Sequence, residues 1–190
     1  MTKLKNNSFS LEKILFSTPE QKLLRFLLSE STSSFSIREL SSKLKRVRGL
    51  GGAEGLKSTL EEFNRLEIVF FLDNGRNVRL NHDHYLICQL KVISSVCNLE
   101  GIREVVQPFS AKGILFGSQS TGLSRSDSDY DLFIVSDQKK EVEEAVRGYP
   151  FEKKIELIIW TQEEFHNIRD KDEELYHKLE KGFILWGTSW

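Results

Sequence analysis

The chain has 190 residues, 39% hydrophobic and 29% charged, with a formal net charge of −1. That length holds one large domain or two small ones, and the balance is that of a globular protein, not a disordered or collagen-like one. The longest wholly apolar run, residues 68–72, falls far short of the ~20 residues that cross a bilayer, and no apolar region follows the polar start Met1-Thr2-Lys3-Leu4-Lys5-Asn6-Asn7 as in a signal peptide. The two cysteines, Cys88 and Cys97, match no zinc spacing and read as buried thiols. A reducing, cytoplasmic setting without membrane contact is expected. Charge is unevenly spread. Up to residue 82 there are 14 Lys and Arg against 9 Asp and Glu; after it there are 13 against 19. A basic half joined to an acidic half fits a nucleic-acid-facing module joined to a cation-binding one, although unrelated surface variation between two domains would give the same split.

In chain order, a polar start gives way to Phe9, Leu11, Ile14, Leu15 and Phe16. Thr18-Pro19-Glu20 starts a helix, with Thr as N-cap and Pro at the first helical position. Leu23, Leu24, Phe26, Leu27 and Leu28 give that helix its buried side. A Ser-rich turn at 31–34 follows. Ser36 caps a second helix, and Glu39 three residues on completes a capping box. The basic, glycine-rich turn Lys45-Arg46-Val47-Arg48-Gly49-Leu50-Gly51-Gly52 leads into a third helix over about 53–66, with Leu56, Leu60, Phe63 and Leu66 inward. Residues 68–72 and 77–80 flank Asp73-Asn74-Gly75-Arg76, a hairpin signal.

Three helices and a hairpin predict a winged helix-turn-helix over residues 1–82. The third helix would be the recognition helix, with Lys57, Ser58 and Thr59 outward. Arg46 and Arg48 would lie in the turn before it and Arg76 at the wing tip. DNA binding, a protein-interaction or dimerisation role, and purely structural use all remain open for such a unit. His82 and His84 have no third ligand nearby and read as a solvated loop. From Tyr85 to Val106 apolar residues recur at helical spacing, predicting one or two connecting helices with burial on several sides or a homodimer seam.

The second part is organised around residues 113–135. A short apolar run, Gly113-Ile114-Leu115-Phe116, enters a Gly117-Ser118 turn. After Ser126-Asp127-Ser128-Asp129-Tyr130-Asp131 a second run, Leu132-Phe133-Ile134-Val135, leaves it. The expected order is strand, glycine turn, short helix, loop, strand. Asp129 and Asp131 at i and i+2 share one face of a strand. Two like charges that close call for a hard cation with oxygen ligands, Mg²⁺ before others. A Gly-Ser turn before a helix offers N–H groups to phosphate. A charged amphipathic helix over 137–146 and a strand over 153–160 follow. Glu156 sits among apolar neighbours of that strand. If buried it needs a cation, and beside Asp129 and Asp131 it would make a three-carboxylate cluster; the alternative is an exposed face of an edge strand. His166 and His177 read as surface positions.

Gly117-Ser118, Asp129-Tyr130-Asp131-Leu132 and Ile155-Glu156-Leu157 resemble the nucleotidyltransferase superfamily that includes polymerase β, and most closely its minimal nucleotidyltransferases. The resemblance spans about residues 85–190. It implies an α+β chain: a winged helix-turn-helix at 1–82, then, at 83–190, a connecting helix and a polymerase β-like α/β domain with a mixed sheet. It implies that Asp129 and Asp131 bridge two Mg²⁺ ions, that Glu156 is the third ligand and assists the attacking hydroxyl, and that Gly117 and Ser118 hold the triphosphate of ATP or another NTP. Asp127 precedes the pair without being a ligand. Thr121 stands where many members carry Arg, and Glu156 where many carry Asp, departures that bear on rate and substrate. Such proteins often adenylylate a tyrosine on a HEPT-type partner (a small helical nucleotide-binding protein) as antitoxins. The expected activity is therefore transfer of a nucleoside monophosphate, AMP from ATP first, to a hydroxyl of a partner protein. The alternative is a DNA-binding regulator whose nucleotidyltransferase-like domain senses nucleotide or a partner.

Overall fold

The computed structural model describes residues 10–151 and 154–188. The expectations placed on Met1–Asn7, Phe9 and Lys153 lie outside the described residues. The chain divides into two compact units, residues 1–87 and 88–190.

In the first unit the helices are α1 (Leu11–Leu15), α2 (Pro19–Ser29), α3 (Ile37–Lys43) and α4 (Gly52–Arg65); the strands are β1 (Ser34–Ser36), β2 (Val69–Leu72) and β3 (Asn77–Leu80). Local chemistry sets the helix starts. Thr18 accepts from Gln21 N while the Gln21 side chain reaches back, and Ser36 and Glu39 repeat the arrangement on α3. Each box satisfies two amides that the first helical turn leaves bare. Leu23 and Leu27 of α2, Leu40 of α3, and Leu56, Leu60 and Phe63 of α4 are buried, but Leu66, expected inward, is 65% exposed because it lies past the last turn of α4 as its C-cap.

The predicted Ser-rich turn ends earlier than expected. Ser34, Phe35 and Ser36 form β1, antiparallel to β3, and the sheet order is β1-β3-β2. Three residues carry too little alternation to announce a strand; what makes it one is buried Phe35, paired with Val78. The hairpin turn puts Asp73, Asn74 and Gly75 all at positive φ. Arg46, Arg48, Lys57, Ser58 and Arg76 are exposed. Thr59 is not outward as expected: it is half-buried, and its hydroxyl donates to Gly55 O at 3.1 Å.

One helix, α5 (Tyr85–Val106), carries the chain into the second unit. There follow β4 (Lys112–Phe116), α6 (Gly117–Thr121), β5 (Tyr130–Val135), α7 (Lys139–Gly148), β6 (Ile155–Trp160), α8 (Gln162–His166), α9 (Ile168–Lys171), α10 (Glu173–Glu180) and β7 (Phe183–Trp186). The sheet order is β6-β5-β4-β7. β5 and β6 run parallel; the other pairs are antiparallel. A parallel pair needs a crossover connection, and α7 supplies it. α7 begins two residues later than expected because Asp137 does not cap it; its carboxylate accepts from Gln162 N at 3.2 Å.

Both faces of this sheet are covered. Leu115, Leu132 and Ile134 pack with Leu99, Ile102 and Val106 of α5 and Val142 of α7. Ile114, Phe116, Phe133 and Val135 pack with Ile168 of α9 and Leu175 and Leu179 of α10. Burial on both sides explains why Leu132–Val135 reads as an unbroken apolar run. Among the described residues no helix is long and apolar enough to cross a membrane; of the two cysteines expected to be buried, Cys97 is buried and Cys88 half-buried.

Candidate functional site

The turn after β4 is built by two glycines. Gly117 has φ +67°, and a Cβ there would come within 2.1 Å of Asp131 Oδ2; Gly122 has φ +76°, and a Cβ would lie 2.1 Å from Cys88 O. Glycine alone accepts such a conformation and such an approach at no steric cost. Between them, α6 turns its own hydroxyls inward. Ser120 donates to Gly117 O at 2.9 Å and Thr121 to Ser118 O at 3.2 Å, so Thr121 is spent on the helix. Gly117 is exposed and Ser118 half-buried at the start of α6.

The loop 122–130 is held from α5. Buried Lys91 donates to Ser124 O. Ser95 donates to Gln119 Oε1 at 2.7 Å, and Gln119 donates to Ser128 O at 3.2 Å. Asn98 donates to Tyr130 Oη at 2.7 Å. Lys91, Ser95 and Asn98 stand at i, i+4 and i+7, one face of the helix. The sequence reading passed over this polar stripe, although three polar residues at helical spacing within an apolar helix signal it.

The loop delivers Asp129 to the edge of the sheet and Asp131 to its second residue. Asp131 has Phe116 as its register partner on one side and Glu156 on the other. In a parallel pair, register partners share a face about 4.8 Å apart. Glu156 therefore joins the two aspartates on that face. It is not buried: β6 is the edge strand, and the Glu156 side chain is 53% exposed. Of the two readings, the exposed face of an edge strand is the one found, β6 being the edge of the sheet among the described residues.

A cation does meet these acids, and it is a lysine. Lys154 Nζ lies 2.9 Å from Glu156 Oε1 and 3.3 Å from Asp129 Oδ2. Its pKa is raised, first by the bond to Glu156 and then by Asp129. Asp131 has no such partner. Burial, then repulsion from Glu156 and Asp129, pushes its carboxyl above the usual range, and Lys178 of α10 only partly opposes this. Lys178 is itself engaged by Glu174 at 2.6 Å. Neither lysine was singled out from the sequence. The signal for Lys154 was a base two residues before the acid of a strand, at the strand's start.

Among the described residues no three of His, Cys, Asp and Glu converge on a single metal position. The donor set nonetheless suits a hard divalent ion, being carboxylate oxygens alone. The Lys154 ammonium already occupies a cation's place between two of them.

Residues 99–182 match the family model described as a nucleotidyltransferase domain. Over that span the chain is similar to a nucleotidyltransferase domain. The match begins within α5 and ends before β7, so it contains Gly117, Ser118, Asp129, Asp131 and Glu156 but is shorter than the span of the resemblance in the sequence. The match points to nucleotidyl transfer as the general class of chemistry, and nucleotidyltransferases work with a nucleoside triphosphate and a divalent metal. No curated protein matches the chain.

Proposed function

We propose that the nucleotidyltransferase domain moves a nucleoside monophosphate, AMP from ATP, to a hydroxyl on a partner protein. The observation that carries this reading is the placement of Asp129, Asp131 and Glu156 on one face beside the Gly117–Ser118 turn. Asp129, Asp131 and Glu156 would hold Mg²⁺, which when bound neutralises charge developing on the phosphates and lowers the pKa of the attacking hydroxyl. The chain's own groups do the rest. The amides at the start of α6 receive phosphate oxygens. Asp131, short of a compensating cation, is the carboxylate with most to gain from a bound one. Lys154, which lies between Asp129 and Glu156, would offer its ammonium to an anionic substrate held there. A separate acceptor protein of the HEPT type and an antitoxin role belong to this reading.

Incubation with ATP labelled on its α-phosphate, Mg²⁺ and the neighbouring gene product tests the reading. Label on the partner, absent with Asp129→Asn/Asp131→Asn, is the expected result; equal labelling by that variant ends it.

A second reading is supported by the first unit. Its order of two helices, short strand, two helices and hairpin, with exposed Arg46, Arg48, Lys57, Ser58 and Arg76, supports the reading as a winged helix-turn-helix, which a DNA-binding regulator would use. The two activities are compatible in one chain.

A further inference from the structure

The carboxylate face already carries a cation, and its charge bears on how many metal ions the site takes. Asp129 precedes β5 by one residue, Asp131 is the second residue of β5, and Glu156 of β6 is the register partner of Asp131. Lys154 Nζ lies 2.9 Å from Glu156 Oε1 and 3.3 Å from Asp129 Oδ2. One ammonium is thus shared by two of the three acids.

The backbone fixes that placement. Tyr130, the residue between the two aspartates, donates its N–H to Lys154 O at 3.0 Å. The pairing of β5 with the start of β6 therefore sets Lys154 beside Asp129. The Lys154 side chain is 67% exposed, and an exposed ion pair adds little to stability. Stability alone gives little reason for a base here.

Asp131 is placed differently. Lys154 reaches Asp129 and Glu156 and not Asp131. Asp131 is half-buried, and its Oδ2 sits against Gly117, where a Cβ would approach to 2.1 Å. Lys178 of α10 acts on it from a distance and is itself 2.6 Å from Glu174. The acids are divided: Asp129 and Glu156 share a cation on one side, and Asp131 adjoins the Gly117–Ser118 turn on the other.

We propose that this site takes one divalent ion, held by Asp131 with Asp129, and that the Lys154 ammonium stands in place of a second. The inference rests on the nucleotidyl-transfer reading and narrows its metal requirement. Three ionised carboxylates and one ammonium leave a net charge of −2, which one divalent ion cancels. A second ion would enter a site with no charge left to neutralise, and would have to displace the ammonium from Glu156 and Asp129. A hard ion such as Mg²⁺ keeps several waters and needs only one or two carboxylates, which Asp131 and Asp129 provide. In a two-metal site, positive charge flanks the displacement on both sides. Here Lys154 would supply one of those charges from the chain itself.

The test is titration of the full chain with Mn²⁺, without nucleotide or partner protein, the bound ions being counted from the loss of the free-ion paramagnetic resonance signal. One ion per chain is expected for the parent and for Lys154→Arg, which keeps the charge. Lys154→Met should take up a second ion at millimolar Mn²⁺. Asp129→Asn/Asp131→Asn should take up none at the concentrations that fill the parent. Two ions on the parent, or none, overturn the proposal. So does a count that stays at one in Lys154→Met. If that single ion is then bound more tightly, the lysine is a competitor of the metal and not its substitute. Binding unchanged in the double aspartate variant places the ion elsewhere and overturns the proposal too. The count is made without transfer, so failure of label transfer and failure of this inference are read separately.

Discussion

Asp131 illustrates a residue whose placement works against folding and for chemistry. It is half-buried, faces Glu156 and Asp129, and is opposed only by Lys178. Replacing it should therefore separate stability from activity. Asp131→Asn is expected to melt no lower than the parent in EDTA, and to lose transfer by at least about a hundredfold, the scale seen when a group that stabilises transition-state charge is removed. A parallel loss of both, read by thermal melts and label transfer, would mean the carboxylate is structural. Gly117 gives the complementary case. Gly117→Ala forces a left-handed alanine, which costs about 1–2 kcal/mol, and drives its methyl onto Asp131 Oδ2. Lower melting and lost transfer together are expected, and an unchanged melting temperature would show that the turn can relax. Gly117, Asp129, Asp131 and Glu156 were all legible in the sequence, because glycine and acid at fixed spacing are local signals. Lys154 was not, because its role depends on which residue at the start of β6 lies beside Asp129, and that is fixed only when β5 and β6 pair.

At the scale of elements, α5 acts as the scaffold of the site. Its apolar spacing announces a long buried helix; its polar stripe decides where the 122–130 loop goes. Ser95→Ala removes the donor to Gln119 Oε1 and should cost about 1 kcal/mol, or about 4–8 °C in melting temperature for a domain of roughly 100 residues. Transfer should fall as well, since Gln119 is what holds Ser128. A melting change without an activity change would place the stripe outside the site's support. The start of α8 carries a pH-dependent contact. Glu164 accepts from Thr161 N and from Lys139, which holds its pKa at about 2 against an ordinary 4.5. A lowered carboxyl stabilises the fold fully above the unfolded value and progressively less as pH falls from there toward about 2. Urea unfolding between pH 7 and 2.5 should show a decline below pH 4.5 that is shallower in Glu164→Gln. Identical slopes would mean the unfolded chain keeps the same contact. The capping boxes at Thr18 and Ser36 could be read in advance because they are made within four residues; β1 could not, since its reason is a partner strand about 40 residues away.

At the scale of the whole molecule, the chain puts its positive charge in one unit and its negative charge in the other, and the two proposed activities divide in the same way. Arg48 and Arg76 are exposed in the first unit and lie far in sequence from Asp129 and Asp131. On the DNA-binding reading, each arginine that contacts phosphate adds about one unit to the slope of log K against log salt. The double variant Arg48→Ala/Arg76→Ala should therefore bind promoter DNA more weakly and with a slope smaller by about 2, while label transfer to the partner protein is unchanged. Asp129→Asn/Asp131→Asn should do the reverse, abolishing transfer and leaving the slope alone. Fluorescence anisotropy over a salt series, run beside the labelling assay, checks both. An unchanged slope in the arginine variant would leave the basic surface of the first unit without a nucleic-acid role. A protein partner, whose binding need not follow a salt slope of phosphate contacts, would then be the occupant that the exposed arginines serve.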